Sequence, residues 1–294
     1  MKVYFIQLTL TKACNQQCYY CDVYEKERET EVDTSFLIYV LNSLPEDTVI
    51  ELSGGEPGLV KNLDVVFQVC YNHPHVKGIQ LMSNGLVRKL GYEWIDKVKY
   101  NEHIIFDIDG QDIIKFYDLP IIEKPNMNYV IVTTEKTTKS LVKYWDQLGL
   151  DREIFWIKLM NPKTHDFSGY TGDLLKLFQL TGDDNSIEMI KFFKGETSLE
   201  FKRSLCFRQS PQPAIDMESK EIVHCATTLM KCERKKFTPE NINLNFKCKL
   251  FNNIQHCRGC YTFDMSDHKM EDVMNSIKGV PVNRRVNEKM CFGF

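Results

Sequence analysis

Apolar runs of strand length recur along this chain, with helix-length amphipathic stretches between them. The strand-like runs lie near 3–11, 48–53, 78–83, 103–109, 127–134 and 153–160, and the helix-like runs near 33–44, 62–72, 92–100, 137–149 and 172–181. Asp33 and Asn62 stand where helix N-caps are expected, and Gly149 and Gly182 where helices stop. Alternating strands and helices predict a parallel sheet with helices outside it, because a parallel crossover needs room for a helix. Six such units make a partial (β/α)6 TIM-like barrel, so the expected fold class is α/β. Residues 1–185 form that barrel, and residues 186–294 are left for a small C-terminal subdomain and tail. Barrel enzymes gather their chemistry at the C-terminal ends of the strands. The residues just after each run therefore carry the functional reading.

The runs themselves are not uniformly apolar, as strands buried on both faces would be. Gln7 and Thr9, Glu51 and Ser53, Asp107 and Asp109, and Lys158 fall at every-other positions. Polar residues at period two put one sheet face against a wet or ligand-filled cavity, or else mark strand ends near water. On the cavity reading the substrate is polar, and Glu51 and Lys158 are the candidates to touch it.

Cys14, Cys18 and Cys21 follow the first run directly, in the order C-N-Q-Q-C-Y-Y-C. Three thiolates on one short loop can hold three irons of a [4Fe–4S] cube and leave the fourth open to a small molecule. A zinc site is the alternative, although it would want a fourth nearby Cys or His. The second run ends in Ser53-Gly54-Gly55-Glu56-Pro57. Two glycines let a ligand approach the backbone, and a carboxylate beside them accepts hydrogen bonds from an ammonium group. Alone, such a turn is as common in a plain strand-to-helix connection.

Together these motifs resemble the radical S-adenosylmethionine (SAM) superfamily. That family's cluster motif has this three-then-two spacing with an aromatic before the last Cys, here Tyr20, and its second motif is matched by Gly54-Gly55-Glu56-Pro57. Ser83-Asn84-Gly85 matches its looser third element, and Asp107-Ile108-Asp109-Gly110 its fourth, with Asp107 replacing the usual Ser. The resemblance covers residues 1–185. It implies that SAM chelates the open iron, with Gly54, Gly55 and Glu56 at its ammonium. Ser83 and Asp107 would meet its carboxylate or ribose, and the backbone near Tyr20 its adenine. It further implies one-electron cleavage of SAM to a 5′-deoxyadenosyl radical that abstracts a substrate hydrogen. The electron would come from a donor such as flavodoxin or ferredoxin.

A second cysteine set comprises Cys206, Cys225, Cys257 and Cys260. Cys206 precedes a predicted hairpin, 214–217 and 221–225 about a turn at Glu218-Ser219-Lys220, and Cys257-Arg258-Gly259-Cys260 is a compact C-x-x-C. Four such thiolates can close a zinc or an iron–sulfur site. The layout resembles the "twitch" extension of some radical SAM enzymes, which implies one auxiliary [4Fe–4S] cluster. The usual hairpin Gly is Lys220 here. Cys70 lies in an apolar helix and reads as core. Cys232, Cys248 and Cys291 can pack as small hydrophobes, replace an auxiliary ligand or, for Cys248 and Cys291, donate a hydrogen atom to a substrate radical. His165, His224 and His256 read as ordinary hydrogen-bonded histidines.

Hydrophobic content of 43% is ordinary for a globular chain of 294 residues, and a net charge of −3 gives no electrostatic case for nucleic acid or membrane. The basic stretch Arg234-Lys235-Lys236 reads as a solvated face. No apolar run reaches membrane-spanning length and no signal-peptide plan opens the chain, so the eleven cysteines fit a reducing cytoplasm. The expected activity is radical SAM chemistry on a polar small molecule or peptide. The twitch resemblance implies net oxidation, by dehydrogenation or cross-linking, assisted by the auxiliary cluster. Epimerisation with a Cys hydrogen donor is the enzymatic alternative, and a non-catalytic iron–sulfur or zinc protein is the alternative of another class. The chain opens directly on its first strand, which speaks against a leader-peptide substrate.

Overall fold

The computed structural model describes residues 4–18, 25–85, 102–109, 127–133, 155–159, 213–223 and 234–242. Strand β1 spans Tyr4–Thr11, and a short parallel pair follows, β2 (Ala13–Cys14) with β3 (Glu25–Lys26). Helix α1 (Thr34–Asn42), β4 (Thr48–Gly54), a 3₁₀ turn (Pro57–Leu59), α2 (Leu63–Asn72) and β5 (Val76–Ser83) come next. Strands β6 (Glu102–Asp109), β7 (Met127–Thr133) and β8 (Phe155–Leu159) complete six long strands. Each matches one of the strand-like runs. The helices expected near 92–100, 137–149 and 172–181, with Gly149 and Gly182, lie outside the described residues.

The six pair in chain order, β1-β4-β5-β6-β7-β8, and every pair is parallel. There is no reversal of order along the way. All six strands therefore present their C-terminal ends at the same edge.

Register explains the two faces. Ile6, Ile50 and Ile79 stand abreast, as do Leu8, Leu52 and Leu81, and all six are buried. Their face meets the helices: α2 contacts β5, and α1 contacts α2 through sides that bury Leu37, Val40, Leu41, Val66, Phe67 and Cys70. Burial pushes the Cys70 thiol up to about 12, as a core cysteine requires. On the opposite face Gln7, Glu51 and Gln80 stand abreast and are 4%, 2% and 1% exposed. They are interior residues, so proximity to water at strand ends does not account for them.

The cap reading holds for Asp33, whose Oδ1 accepts from the Phe36 amide at 3.1 Å. Asn62 precedes α2 as expected but makes no cap bond. Its amide instead brackets Val32, donating to the carbonyl at 2.9 Å and accepting from the N–H at 3.0 Å. An Asn side chain offers both donor and acceptor, and here two backbone groups of a neighbouring segment claim them.

The predicted hairpin forms as β9 (Ala214–Asp216) and β10 (Glu221–Val223), with β11 (Lys235–Lys236) paired beyond it. β9 pairs parallel to β1 on the edge away from β4. The hairpin thus extends the same nine-stranded sheet across the expected boundary at 185/186. Lys220 ends the hairpin turn at φ 58°, the left-handed region that favours glycine. Its Nζ pairs with Asp33 Oδ2 at 2.7 Å and lies 5.3 Å over the Phe36 ring, ties that offset the backbone cost. Arg234 is not part of a solvated face: its guanidinium meets Asp216 and Glu221, whereas Lys235 and Lys236 are exposed.

Candidate active site

Three of the motifs converge at the C-terminal edge of the sheet. β1 leads into Cys14, β4 into Gly54-Gly55-Glu56, and β5 into Ser83-Asn84-Gly85. The segment after β1 lies directly on the glycines: Gly55 N–H donates to Thr11 O at 2.7 Å, and Glu56 N–H to Ala13 O at 2.8 Å. A Cβ on Gly54 would stand 2.3 Å from Thr11 O, and one on Gly55 2.2 Å from Ala13 O. The space these glycines leave is filled by the cysteine segment's own backbone, whereas the sequence alone suggested room for a ligand. Gly54 also sits at φ 150°.

Glu56 is fully buried, and a carboxylate removed from water must be hydrogen-bonded. Oε1 accepts from Gly58 N–H at 2.7 Å and from the Ser83 hydroxyl at 2.8 Å, and Oε2 accepts from Asn84 N–H at 2.8 Å. Glu56 thereby ties the ends of β4 and β5 together. The Ser83 hydroxyl also accepts from Gly85 N–H at 3.1 Å. Its single proton points at Glu56, so here Ser83 is a brace for that carboxylate.

Cys14 and Cys18 are in no disulfide and are partly exposed. The Cys14 sulfur receives Gln16 N–H at 3.4 Å and Asn84 Nδ2 at 3.7 Å. Asn84 Nδ2 also donates to Asn15 Oδ1 at 2.9 Å. Donors aimed at a sulfur suit a thiolate ligand, which needs accessibility and compensation of its charge, and the contrast is with the fully buried Cys70 thiol. The parallel β2–β3 pair and the Glu25 N–H to Lys12 O bond at 2.9 Å close the base of the three-cysteine loop. The described part of the loop fits an iron–sulfur ligand set. Cys21 and Tyr20 lie outside the described residues.

The hairpin tip holds the chain just before Cys14. Asp216, 3% exposed, accepts from Lys12 Nζ at 2.8 Å, Arg234 Nη1 at 3.3 Å and two turn amides at 3.1 Å. Burial alone would raise its carboxyl. Hydrogen bonds from Lys12 and Ser219 outweigh that and hold it below the ordinary carboxylate value. Glu218 accepts from the Thr11 hydroxyl at 3.2 Å, Lys12 N–H at 3.3 Å and Arg28 Nη2 at 2.8 Å. Sequence reading missed this brace, because its partners are about 200 positions apart.

Glu51 lies three residues before Gly54, deep in β4, and its register runs through Gln80 to His103. Lys158 runs through Val132 to Asp109, six residues further along β6, so the two candidates do not share a row. Asp107 is inside β6, in register with Val130. Cys206, Cys225, Cys232, Cys248, Cys257, Cys260 and Cys291, with His165, His224 and His256, lie outside the described residues. The hairpin does pair Ala214 with Val223 at its open end. Asn84 stands inside the third motif, and the motif gave its side chain no role, whereas the structure turns it to Cys14.

No family model matches the chain. It is similar to the GTP 3',8-cyclase of Shewanella denitrificans, 26% identical over 175 residues, which are 54% of this chain and 51% of that protein. The GTP 3',8-cyclase of Stenotrophomonas maltophilia is 31% identical over 86 residues, 28% of this chain and 26% of that one. The chain thus spans about half or less of the curated relatives it matches. In fold it is similar to anSMEcpe with bound AdoMet (TM-score 0.53, 12% identity, 96% of this chain and 85% of that one). It is likewise similar to Streptococcus suis SuiB bound to S-adenosylmethionine (TM-score 0.54, 13% identity, 95% and 72%) and to SuiB bound to the precursor peptide SuiA (TM-score 0.53, 14% identity, 95% and 70%). The structural matches show a shared fold, and the sequence matches show a partial likeness to proteins named as cyclases. No helix among the described residues is long and apolar enough to cross a membrane.

Proposed function

We propose that this chain is a radical SAM enzyme that takes a hydrogen atom from a polar substrate and completes a net oxidation. The observation that carries this reading is the direct contact of Cys14, Gly54-Gly55-Glu56 and Ser83-Asn84-Gly85 at one sheet edge. Cys14, Cys18 and Cys21 would hold a [4Fe–4S] cluster, which supplies the electron for cleavage of SAM. Glu56 and the backbone of Gly54 and Gly55 would receive the SAM ammonium, Asp107 its ribose and the backbone near Tyr20 its adenine. The six parallel strands would form a partial (β/α)6 barrel around the substrate.

A polar substrate is supported by the inner row of Gln7, Glu51 and Gln80. Among the described residues, Gln7 Oε1 is buried with no hydrogen-bond partner, and a substrate donor would satisfy it. A peptide is the class we favour, since SuiB was solved with its precursor peptide; the relatives named for GTP make a small polar molecule the alternative. Cys206, Cys225, Cys257 and Cys260 would hold an auxiliary cluster in a twitch-like C-terminal subdomain, as electron outlet for dehydrogenation or cross-linking. The Lys220 backbone is in keeping with that assignment: at the position of the usual hairpin glycine it has a φ of 58°, in the left-handed region that favours glycine. A flavodoxin or ferredoxin would deliver the electron.

The test is anaerobic reduction by dithionite in the presence of SAM. The reconstituted chain should release 5′-deoxyadenosine, and variants lacking Cys14, Cys18 or Cys21 should not. An intact first cluster that forms none would favour a non-catalytic metal protein. Deuterium transfer into 5′-deoxyadenosine from labelled peptides and nucleotides then identifies the substrate.

A further inference from the structure

We infer that Asn84 is a positioning residue for the first cluster, its side-chain amide setting the reduction potential through Cys14. This rests on the radical SAM reading above. Among the described residues, the Asn84 side chain joins the end of β5 to a cysteine of the loop after β1. Its Nδ2 lies 3.7 Å from Cys14 Sγ and 2.9 Å from Asn15 Oδ1. An amide nitrogen carries two hydrogens, so the two acceptors take one each. A thiolate sulfur only accepts, so it is the nitrogen and not the oxygen of the amide that belongs on this side.

The geometry is preset from below. Asn84 N–H donates to Glu56 Oε2 at 2.8 Å, and the same carboxylate accepts from the Ser83 hydroxyl at 2.8 Å. Gly85 turns the chain away at φ 73°, and its N–H donates to Ser83 Oγ at 3.1 Å. The Asn84 backbone is thus fixed on both sides, tied to a fully buried carboxylate, and the side-chain amide is held in turn by its bond to Asn15 Oδ1. Asn15, which holds the other amide hydrogen, is the neighbour of Cys14 in the loop. Asn84 therefore orients the first ligand and its flanking residue together.

The electrostatic consequence has a definite sign. Taking up one electron makes a thiolate-ligated cluster more negative, and an N–H directed at a ligand sulfur stabilises that extra charge. Loss of the donor displaces the potential to more negative values, and a carboxylate in its place displaces it further. Glu56 would thereby influence two things from one position, the ammonium of SAM and the donor to Cys14.

The experiment is a redox titration of the reconstituted full chain, followed by the paramagnetic resonance signal that changes when SAM is added. That signal isolates the first cluster from any other. Asn84→Ala should shift the midpoint negative, Asn84→Asp should shift it further, and Asn84→Gln should recover part of the shift by returning a donor. If the wild-type chain shows no SAM-sensitive signal, the radical SAM reading falls and this inference falls with it. If wild type shows the signal and Asn84→Ala and Asn84→Asp load iron with unchanged midpoints, only the inference falls. If Asn84→Ala loses its cluster, the Asp and Gln variants decide: equal midpoints for the two overturn the inference.

Discussion

Gly54 and Gly55 are specified by the backbone that crosses them. Each lacks a Cβ because the Thr11 and Ala13 carbonyls already occupy its place, at 2.3 and 2.2 Å. Gly55→Ala should therefore displace the cysteine segment and leave the remote apolar face intact. The expected result is a folded chain, judged by circular dichroism, that binds much less iron and sulfide after reconstitution. Iron retained at the wild-type level would contradict this. At the same scale, Lys158→Ala should impair turnover of the true substrate more than uncoupled SAM cleavage; equal loss of both would remove Lys158 from the substrate site. The motif alone made Glu56 and Ser83 ligands of SAM. Their hydrogen bonds show a prior structural duty, which was not legible because their partners belong to other strands.

Two connections of the C-terminal hairpin can be tested as elements. Lys220 combines an unfavourable left-handed backbone with an ion pair to Asp33. Lys220→Ala keeps the strain and loses the pair, whereas Lys220→Gly loses both, so the Gly variant should be the more stable by about 1 kcal/mol in denaturant melts. The reverse order would mean that backbone strain is not the controlling term. Asp216 anchors the hairpin to Lys12 beside the cysteine loop. Its folded carboxyl value is lowered, so the unfolded chain takes up the proton first. The stabilisation is complete above the ordinary value of 3.8 and is lost as pH falls through the lower folded value. Asp216→Asn should cost about 1–3 kcal/mol at neutral pH and progressively less below that value, as read from melting curves over pH.

For the molecule as a whole, the sheet joins the C-terminal hairpin to the strand before Cys14 through one hydrogen-bonded edge. The β9–β1 pairing and the Asp216 and Glu218 contacts fix the hairpin tip against residues 11–12. If Cys206, Cys225, Cys257 and Cys260 hold an auxiliary cluster as proposed, the iron content of the full chain reports it. Iron and sulfide assays on the full chain should give close to two cubes per chain. One cube with stoichiometric zinc would make the second set structural.

The sequence by itself determined the strands, their order of motifs and the α/β class, because period-two and period-3.6 patterns are local properties of the chain. It also marked Cys14, Gly54, Gly55, Glu56 and Ser83 as one site, since each stands at or just after the end of a strand-like run. Only the tertiary structure decided what those residues do to one another. The glycines make room for backbone, Asn62 brackets Val32 instead of capping its helix, and Asn84 turns toward Cys14. Each depends on where a second strand end arrives, and parallel pairing brings together residues tens of positions apart with no trace in local composition. The β9–β1 edge, which carries the hairpin into the main sheet, is the largest such case: a three-residue strand has too little pattern to announce its partner.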